Sequence, residues 1–254
     1  MLFDKIELTE DFDTRFFDKL CKKVGYTLKK YALINDGDTI MVGVSGGKDS
    51  LFLLESLADR IRHLPFEVSL KACHIHIKEI GYKIDKEYLE SLCARLSVPY
   101  YFEEISVNLS ADTKKTPCFV CSWHRRKRIF ELTKELNCNK LALGHHMDDA
   151  LETLLMNMIY HGSISSMPAS LKMFEGRMSL IRPLIELTNE EMMMVARVRQ
   201  YPRLKGLCPY GDDTKRSEVR TLINNMSEMN KHTRKNLFRS MDRIFPEYLP
   251  GNSF

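Results

Sequence analysis

One stretch limits what this chain can become. Thr39 to Val44 reads as a short apolar strand, Ser45-Gly46-Gly47-Lys48-Asp49-Ser50 as a turn, and the next residues as a helix with an apolar stripe through Leu51, Leu54, Leu57, Ala58 and Ile61. A strand that enters a glycine turn at a helix N-terminus makes an anion site. The first helical amides lack partners inside the helix, and the dipole favours negative charge there. Gly46 and Gly47 have no side chain to hold a phosphate off the backbone. Ser45 and Ser50 add hydroxyls, and Lys48 adds a point charge.

The turn is not a Walker A loop, which needs glycine where Val42 stands and Ser or Thr where Asp49 stands. Nor is it a GxGxxG fingerprint. Around it the chain alternates. A helix is expected over residues 11–34, with Phe16, Leu20, Val24, Leu28 and Tyr31 on one side. Strands are expected at 67–76, 100–105 and 140–144, and helices at 85–96 and 147–160. Residues 106–117 read as a loop, and 118–137 as loop into helix. Residues 161–176, rich in Gly, Ser and Pro, read as an insertion or lid. A strand near 179–183 and a helix over 188–199 follow. This alternation predicts an α/β fold, a Rossmann-like parallel sheet with helices on both faces. We divide it into an N-terminal helical segment (1–36), a nucleotide domain (37–205) and a small basic C-terminal helical appendage (206–254).

A chain of 254 residues, 44% hydrophobic and 28% charged, is long enough for one large domain with an appendage. No apolar run reaches the roughly 20 residues of a membrane helix, and the acid-rich start is unlike a signal or transit peptide. A cytoplasmic protein with no membrane association is expected. Residues 1–110 carry 15 Lys and Arg against 18 Asp and Glu, and residues 111–254 carry 23 against 16. A basic second half fits a polyanion partner or, more plainly, a solvated surface.

Leu143-Gly144-His145-His146-Met147-Asp148-Asp149 closes one strand and opens a helix. In an open parallel sheet, ligands bind at the carboxyl ends of strands where their order reverses. Gly144 would let the backbone approach a ligand. Asp148 or Asp149, with Asp49 as the other candidate, would hold a Mg²⁺ against phosphates. The plain alternative is that both serve the helix N-terminus.

Pro117-Cys118-Phe119-Val120-Cys121 is a CxxC, a two-ligand hook. Cys208 lies in a loop-like Gly-Leu-Cys-Pro. Cys21, Cys73, Cys93 and Cys138 fall in apolar patterns and read as core thiols. Three thiolates suit a [4Fe–4S] cluster with one open iron. A zinc site with His124, or a persulfide and resolving pair, suits the same spacing.

The Ser-Gly-Gly-Lys-Asp-Ser turn resembles the PP-loop of the N-type ATP pyrophosphatases. The order of SGGKDS, CxxC, LGHHMDD, Arg182-Pro183-Leu184 and a late cysteine is similar to the TtcA/TtuA family of tRNA thiolation enzymes, closest to its 2-thiocytidine branch. One departure is His74-Ile75-His76, where that family more often has an Asn and an Asp. The resemblance implies an adenine nucleotide α-hydrolase fold and an ATP-dependent sulfurtransferase. ATP with Mg²⁺ would adenylate the C2 oxygen of an anticodon-loop cytidine, position 32. A [4Fe–4S] cluster on Cys118, Cys121 and Cys208 would deliver the sulfur. It implies ATP contacts from Ser45, Gly46, Gly47, Lys48, Asp49, Ser50, His76 and Gly144, with catalytic roles for Lys48, Asp49, Asp149 and Cys208. RNA contacts would come from Arg125 and Arg126. The partners implied are tRNA, a sulfur donor (a cysteine desulfurase or free sulfide) and a second copy of the chain. Three other readings use the same features: thiolation of another base or a small molecule, a persulfide relay, and an ATP-sensing RNA-binding protein.

Overall fold

The computed structural model describes residues 10–80, 84–108, 116–202 and 214–248. The described residues of 1–146 and 169–211 form one compact unit, and those of 147–168 and 212–254 form another.

The first unit is a layered α/β structure. Its sheet has the order β3-β2-β1-β4-β6-β5. The strands are β1 (Asp38–Gly43), β2 (Val68–Ile77), β3 (Tyr100–Ile105), β4 (Lys140–Ala142), β5 (Ser170–Met173) and β6 (Met178–Ile181). β1 runs parallel to both neighbours, with Val42 level with Ala72 on one side and Ala142 on the other. Register at the start of β1 is pinned by polar groups. Asp38 accepts from the Asn139 amide at 2.7 Å and pairs with Lys140 at 3.2 Å, while Asn139 Oδ1 accepts from the Thr39 N–H.

Side chains of β1 alternate between faces, as a strand requires. Ile40, Val42 and Val44 join α1 (Glu10–Lys30), α2 (Lys48–Ile61), α3 (Lys86–Leu96) and α6 (Asn189–Val198) in one core. Met41 faces the other way and packs with Cys73, Ile75, Leu141 and Leu180 against Ile129 and Leu132 of α4 (Pro117–Glu135). Helices therefore cover both faces, as expected. α2 is buried on nearly every side, so its one interior charge needs partners. Glu55 accepts from Arg199 at 2.6 Å and, through a short bond, from the Tyr201 hydroxyl.

Two local expectations are corrected. The cysteine hook lies in no loop. Thr116 caps α4 by accepting from the Phe119 N–H at 3.3 Å and Pro117 takes the first helical position, so Cys118 is already helical. The stretch 161–176 is not one insertion, since it contains β5, which pairs antiparallel with β6 and makes the sheet mixed.

The second unit holds α5 (Met147–His161), α7 (Thr214–Met229) and α8 (Thr233–Ser240), then a 3₁₀ turn at Pro246–Tyr248. Residues after α5 fold back on it. Asn157 donates to the Ser165 carbonyl at 2.9 Å, and the Ser166 hydroxyl donates to the Ala150 carbonyl at 2.6 Å.

Candidate nucleotide site and cysteine pair

The strand order places the candidate site. From β1 the chain winds outward to β2 and β3, then returns to the other side of β1 as β4. The reversal lies between β1 and β4, and their carboxyl ends carry the glycine turn and the Leu143–His146 segment.

The turn is held by its own hydroxyls. Ser50 Oγ donates to the Gly47 carbonyl at 2.8 Å and accepts from the Ser45 N–H at 3.1 Å. Ser45 Oγ lies 3.1 Å from Ser50 Oγ and accepts from the Gly47 N–H at 3.3 Å. The two serines thus shape the loop, and Ser50 is buried beneath it. Gly46 has φ +82°, a conformation that favours glycine. Gly47 is the N-cap of α2 and makes no side-chain cap, so the opening turn is left for an anion.

Gly144 has a reason the sequence did not show. A Cβ there would lie 3.0 Å from the carbonyl carbon of Asp49 and 3.1 Å from the Ser50 nitrogen, both backbone atoms. The glycine lets the end of β4 close on the first turn of α2. Lys48 Nζ donates to Asp49 Oδ1 at 2.8 Å, and His146 Nε2 lies 3.9 Å from the same oxygen. Lys48, Asp49 and His146 therefore meet beside the loop.

Sequence reasoning named His76 and missed His74. His74 Nδ1 lies 2.7 Å from the carbonyl of Val44, the residue before the loop. Burial pulls its pKa down to about 4, with the charge of Arg125 and the neighbouring His76 acting in the same direction. The ring is then neutral near pH 7 and Nδ1–H is the donor. His76 is half-buried, and both imidazoles stack near Phe102, at 5.7 and 6.1 Å between centroids. The available signal was period: His74 and His76 alternate with apolar Cys73 and Ile75 at the end of a strand.

Asp148 and Asp149 belong to the second unit and are engaged there. Arg234 Nε donates to Asp148 at 2.8 Å, and Arg216 Nη2 donates to Asp149 at 3.0 Å. Buried Glu152 accepts from Arg216 at 2.6 Å and Arg220 at 2.7 Å. The pair thus does more than serve a helix N-terminus, because it ties α5 to α7 and α8. For Mg²⁺, an oxygen-only site with one or two carboxylates suffices when phosphates supply the rest. Asp49 stands beside the loop and fits that role once Lys48, whose Nζ donates to both its oxygens at 2.8 and 3.0 Å, turns away. Asp148 and Asp149 are each held by an arginine within the second unit.

Cys118 is exposed and Cys121 half-buried, one helical turn apart at the start of α4. Residues three apart share a helix face, and a helix N-terminus favours thiolates, so the pair fits two ligands of a cluster. Cys208, the expected third, lies outside the described residues. Among the described residues no three His, Cys, Asp or Glu side chains converge as metal ligands. The thiols of Cys21, Cys73, Cys93 and Cys138 are pushed up by burial, which suits inert core residues.

The basic side chains of the second half divide. Arg128 is clamped by Glu103 and Glu135, and Arg199 by Glu55, so neither tracks a polyanion. Arg126 is exposed, and Arg125 is half-buried.

The PP-loop domain profile matches residues 17–226. The tRNA-cytidine(32) 2-sulfurtransferase of Pelobacter propionicus is 34% identical over 241 residues, covering 92% of this chain and 88% of that protein. The protein of the same name from Geotalea uraniireducens is 32% identical over 243 residues, covering 93% of this chain and 96% of that one. In structure the chain is similar to the U34-tRNA thiolase NcsA from Methanococcus maripaludis, with a TM-score of 0.75 at 24% identity over 94% of this chain and 81% of that one. That likeness speaks to the fold. The strand, glycine turn and helix that open the sheet, and the relatives that align along nearly the whole chain around them, agree: this protein belongs to the PP-loop domain family, beside the tRNA-cytidine(32) 2-sulfurtransferases.

Proposed function

We propose that this chain is an ATP-dependent tRNA sulfurtransferase that converts the anticodon-loop cytidine at position 32 to 2-thiocytidine. The observation that carries the reading is the alignment of this chain with 96% of a relative named for that reaction. The formed phosphate loop and the helical cysteine pair support it.

The chemistry has two parts. A base carbonyl oxygen is a poor leaving group, and adenylation through the α-phosphate, as pyrophosphate departs, lets it leave as part of AMP. The loop amides at the start of α2 and Lys48 bind the phosphates and oppose the charge that develops on pyrophosphate. Ser45 and Ser50 keep the loop in shape, and Gly144 keeps the end of β4 closed on it. His74 braces the residue before the loop through the Val44 carbonyl, and His76 is a proposed nucleotide contact. Asp49, Asp148 and Asp149 are the proposed holders of a Mg²⁺ that would offset phosphate charge, each once released from its present cation. In the second part sulfur replaces the adenylated oxygen and AMP leaves. A [4Fe–4S] cluster on Cys118, Cys121 and Cys208 would hold the incoming sulfur. Arg125 and Arg126, one helical turn past the cysteine pair, are proposed RNA contacts. A cysteine desulfurase or free sulfide is the proposed sulfur source, and the working form is a cytoplasmic homodimer.

The test is nucleoside mass spectrometry of tRNA from cells with and without the gene. The expected result is selective loss of 2-thiocytidine, restored by the intact gene and not by Cys118→Ala. Unchanged thionucleosides would reject tRNA thiolation and favour a small-molecule acceptor.

A further inference from the structure

A groove in the first unit, apart from the phosphate loop, deepens the RNA part of this reading and rests on it. Its cavity of about 690 Å³ is lined by α4 and by the hairpin of β5 and β6. Trp123 and Phe130 of α4 and Phe174 of the hairpin supply aromatic surface. Trp123 is 48% exposed and Phe174 53%, so both offer ring surface to solvent. Phe174 does not hang loose. It sits at φ +52° in the tight turn with Glu175 and Gly176, and its ring meets Phe130 edge-on at 5.7 Å. A bulky residue in the left-handed region is costly, so the turn holds the ring at the groove.

The charged lining is one-sided. Lys127, Lys134, Arg177 and Arg126 line it with one acid, Glu131; Lys127 lies 3.9 Å from Glu131 and Arg177 3.3 Å from Glu175, exposed pairs that hold their cations only weakly. Lys127 Nζ stands 5.6 Å from the centre of the Trp123 ring. Exposed aromatic faces beside cations are what single-stranded nucleic acid requires, because every unpaired base has a π-face and every link a phosphate. A duplex keeps its bases stacked and cannot use the rings. A second copy of this chain, docked about a two-fold axis, would set the same cations against each other. Between Trp123 and Lys134 α4 rises roughly 16 Å, enough for a short run of nucleotides.

We propose that this groove binds single-stranded RNA, with an unpaired base stacked on Trp123 or Phe174 and phosphates on Lys127, Lys134 and Arg177. It would hold RNA flanking the base under reaction, because α4 begins at the cysteine pair.

Trp123 is the single tryptophan of the sequence, so intrinsic fluorescence reports on this groove. The full chain is titrated with a short single-stranded RNA of mixed sequence, and with the same RNA annealed to its complement. Single strands should quench Trp123 emission with an affinity that falls as salt rises, and duplex should not. Phe174→Ala should weaken binding by roughly fivefold to a hundredfold, the value of one stacked base. A Lys127→Ala, Lys134→Ala, Arg177→Ala variant should weaken it and lower the salt dependence. Both should bind ATP like wild type in equilibrium dialysis, which shows that they fold. RNA binding without quenching, or variants with unaltered affinity, would overturn the proposal. So would quenching that follows protein concentration without RNA while sedimentation shows a dimer, because a second copy would then fill the groove. The two readings fail separately. If wild type thiolates tRNA and the variants keep its KM, the groove is wrong and the function stands. If single strands quench but no tRNA is thiolated, the groove stands and the function is wrong.

Discussion

His74 braces the residue before the phosphate loop, with its Nδ1 2.7 Å from the Val44 carbonyl, and burial lowers its pKa to about 4 from 6.5. The folded state therefore releases this proton more readily than the unfolded chain. The stability this confers is complete above about pH 6.5, and it is lost as pH falls from there toward about 4, by roughly 2 kcal/mol at about pH 5. Denaturant titrations near pH 7.5 and pH 5 check this. His74→Asn keeps a donor for Val44 but cannot titrate, so it should lose less stability across that interval than wild type. Equal losses would show that His74 is not the group responsible. The same scale shows what a motif conceals. Gly46 was legible as a turn glycine, and its positive φ bears that out. Gly144 was legible as a glycine but not for its reason, which is a backbone contact with Asp49, almost a hundred residues earlier in the chain.

Among the elements, α5 shows how far side-chain pairing can be read from sequence. Its apolar residues and its acidic start were visible, but its arginine partners on α7 and α8 were not, because ion-pair partners leave no periodic trace. Glu152 is buried and takes two guanidinium groups. Its arginines reach solvent, Arg220 most of all, and Arg216 keeps Asp149, so Glu152→Ala should cost about 1 kcal/mol or less. The loss should appear as faster amide hydrogen exchange in α5 and α7, and unchanged protection there would show the pairs to be dispensable. β5 was missed for a different reason. Ser170, Leu171, Lys172 and Met173 lack β-branched and aromatic residues, so nothing local favours a strand, and pairing with β6 makes it one. The start of α4 was misread because the expected loop was carried one turn too far, past the Thr116 cap and Pro117.

At the scale of the whole molecule, the proposed reaction divides into a phosphate half at Lys48 and a sulfur half at the cysteines, so the two should fail independently. With tRNA present, Lys48→Ala should lower pyrophosphate release by roughly a hundredfold, the effect of removing one donor to developing charge. Cys118→Ala should keep pyrophosphate release and lose 2-thiocytidine. Release assays run beside nucleoside mass spectrometry check both, and loss of both products in Cys118→Ala would mean that the cysteine pair also supports the adenylation site. From the sequence alone came the layered α/β class, the place of the phosphate loop, most element positions and the inert role of the four core cysteines. These follow from periodicity and from residue chemistry that acts within a few positions along the chain. The tertiary structure alone decided which arginines are clamped by acids, which imidazole braces the loop, and that Trp123 and Phe174 line one groove. Those facts depend on residues far apart in sequence, which only the packed sheet and helices bring to the same place.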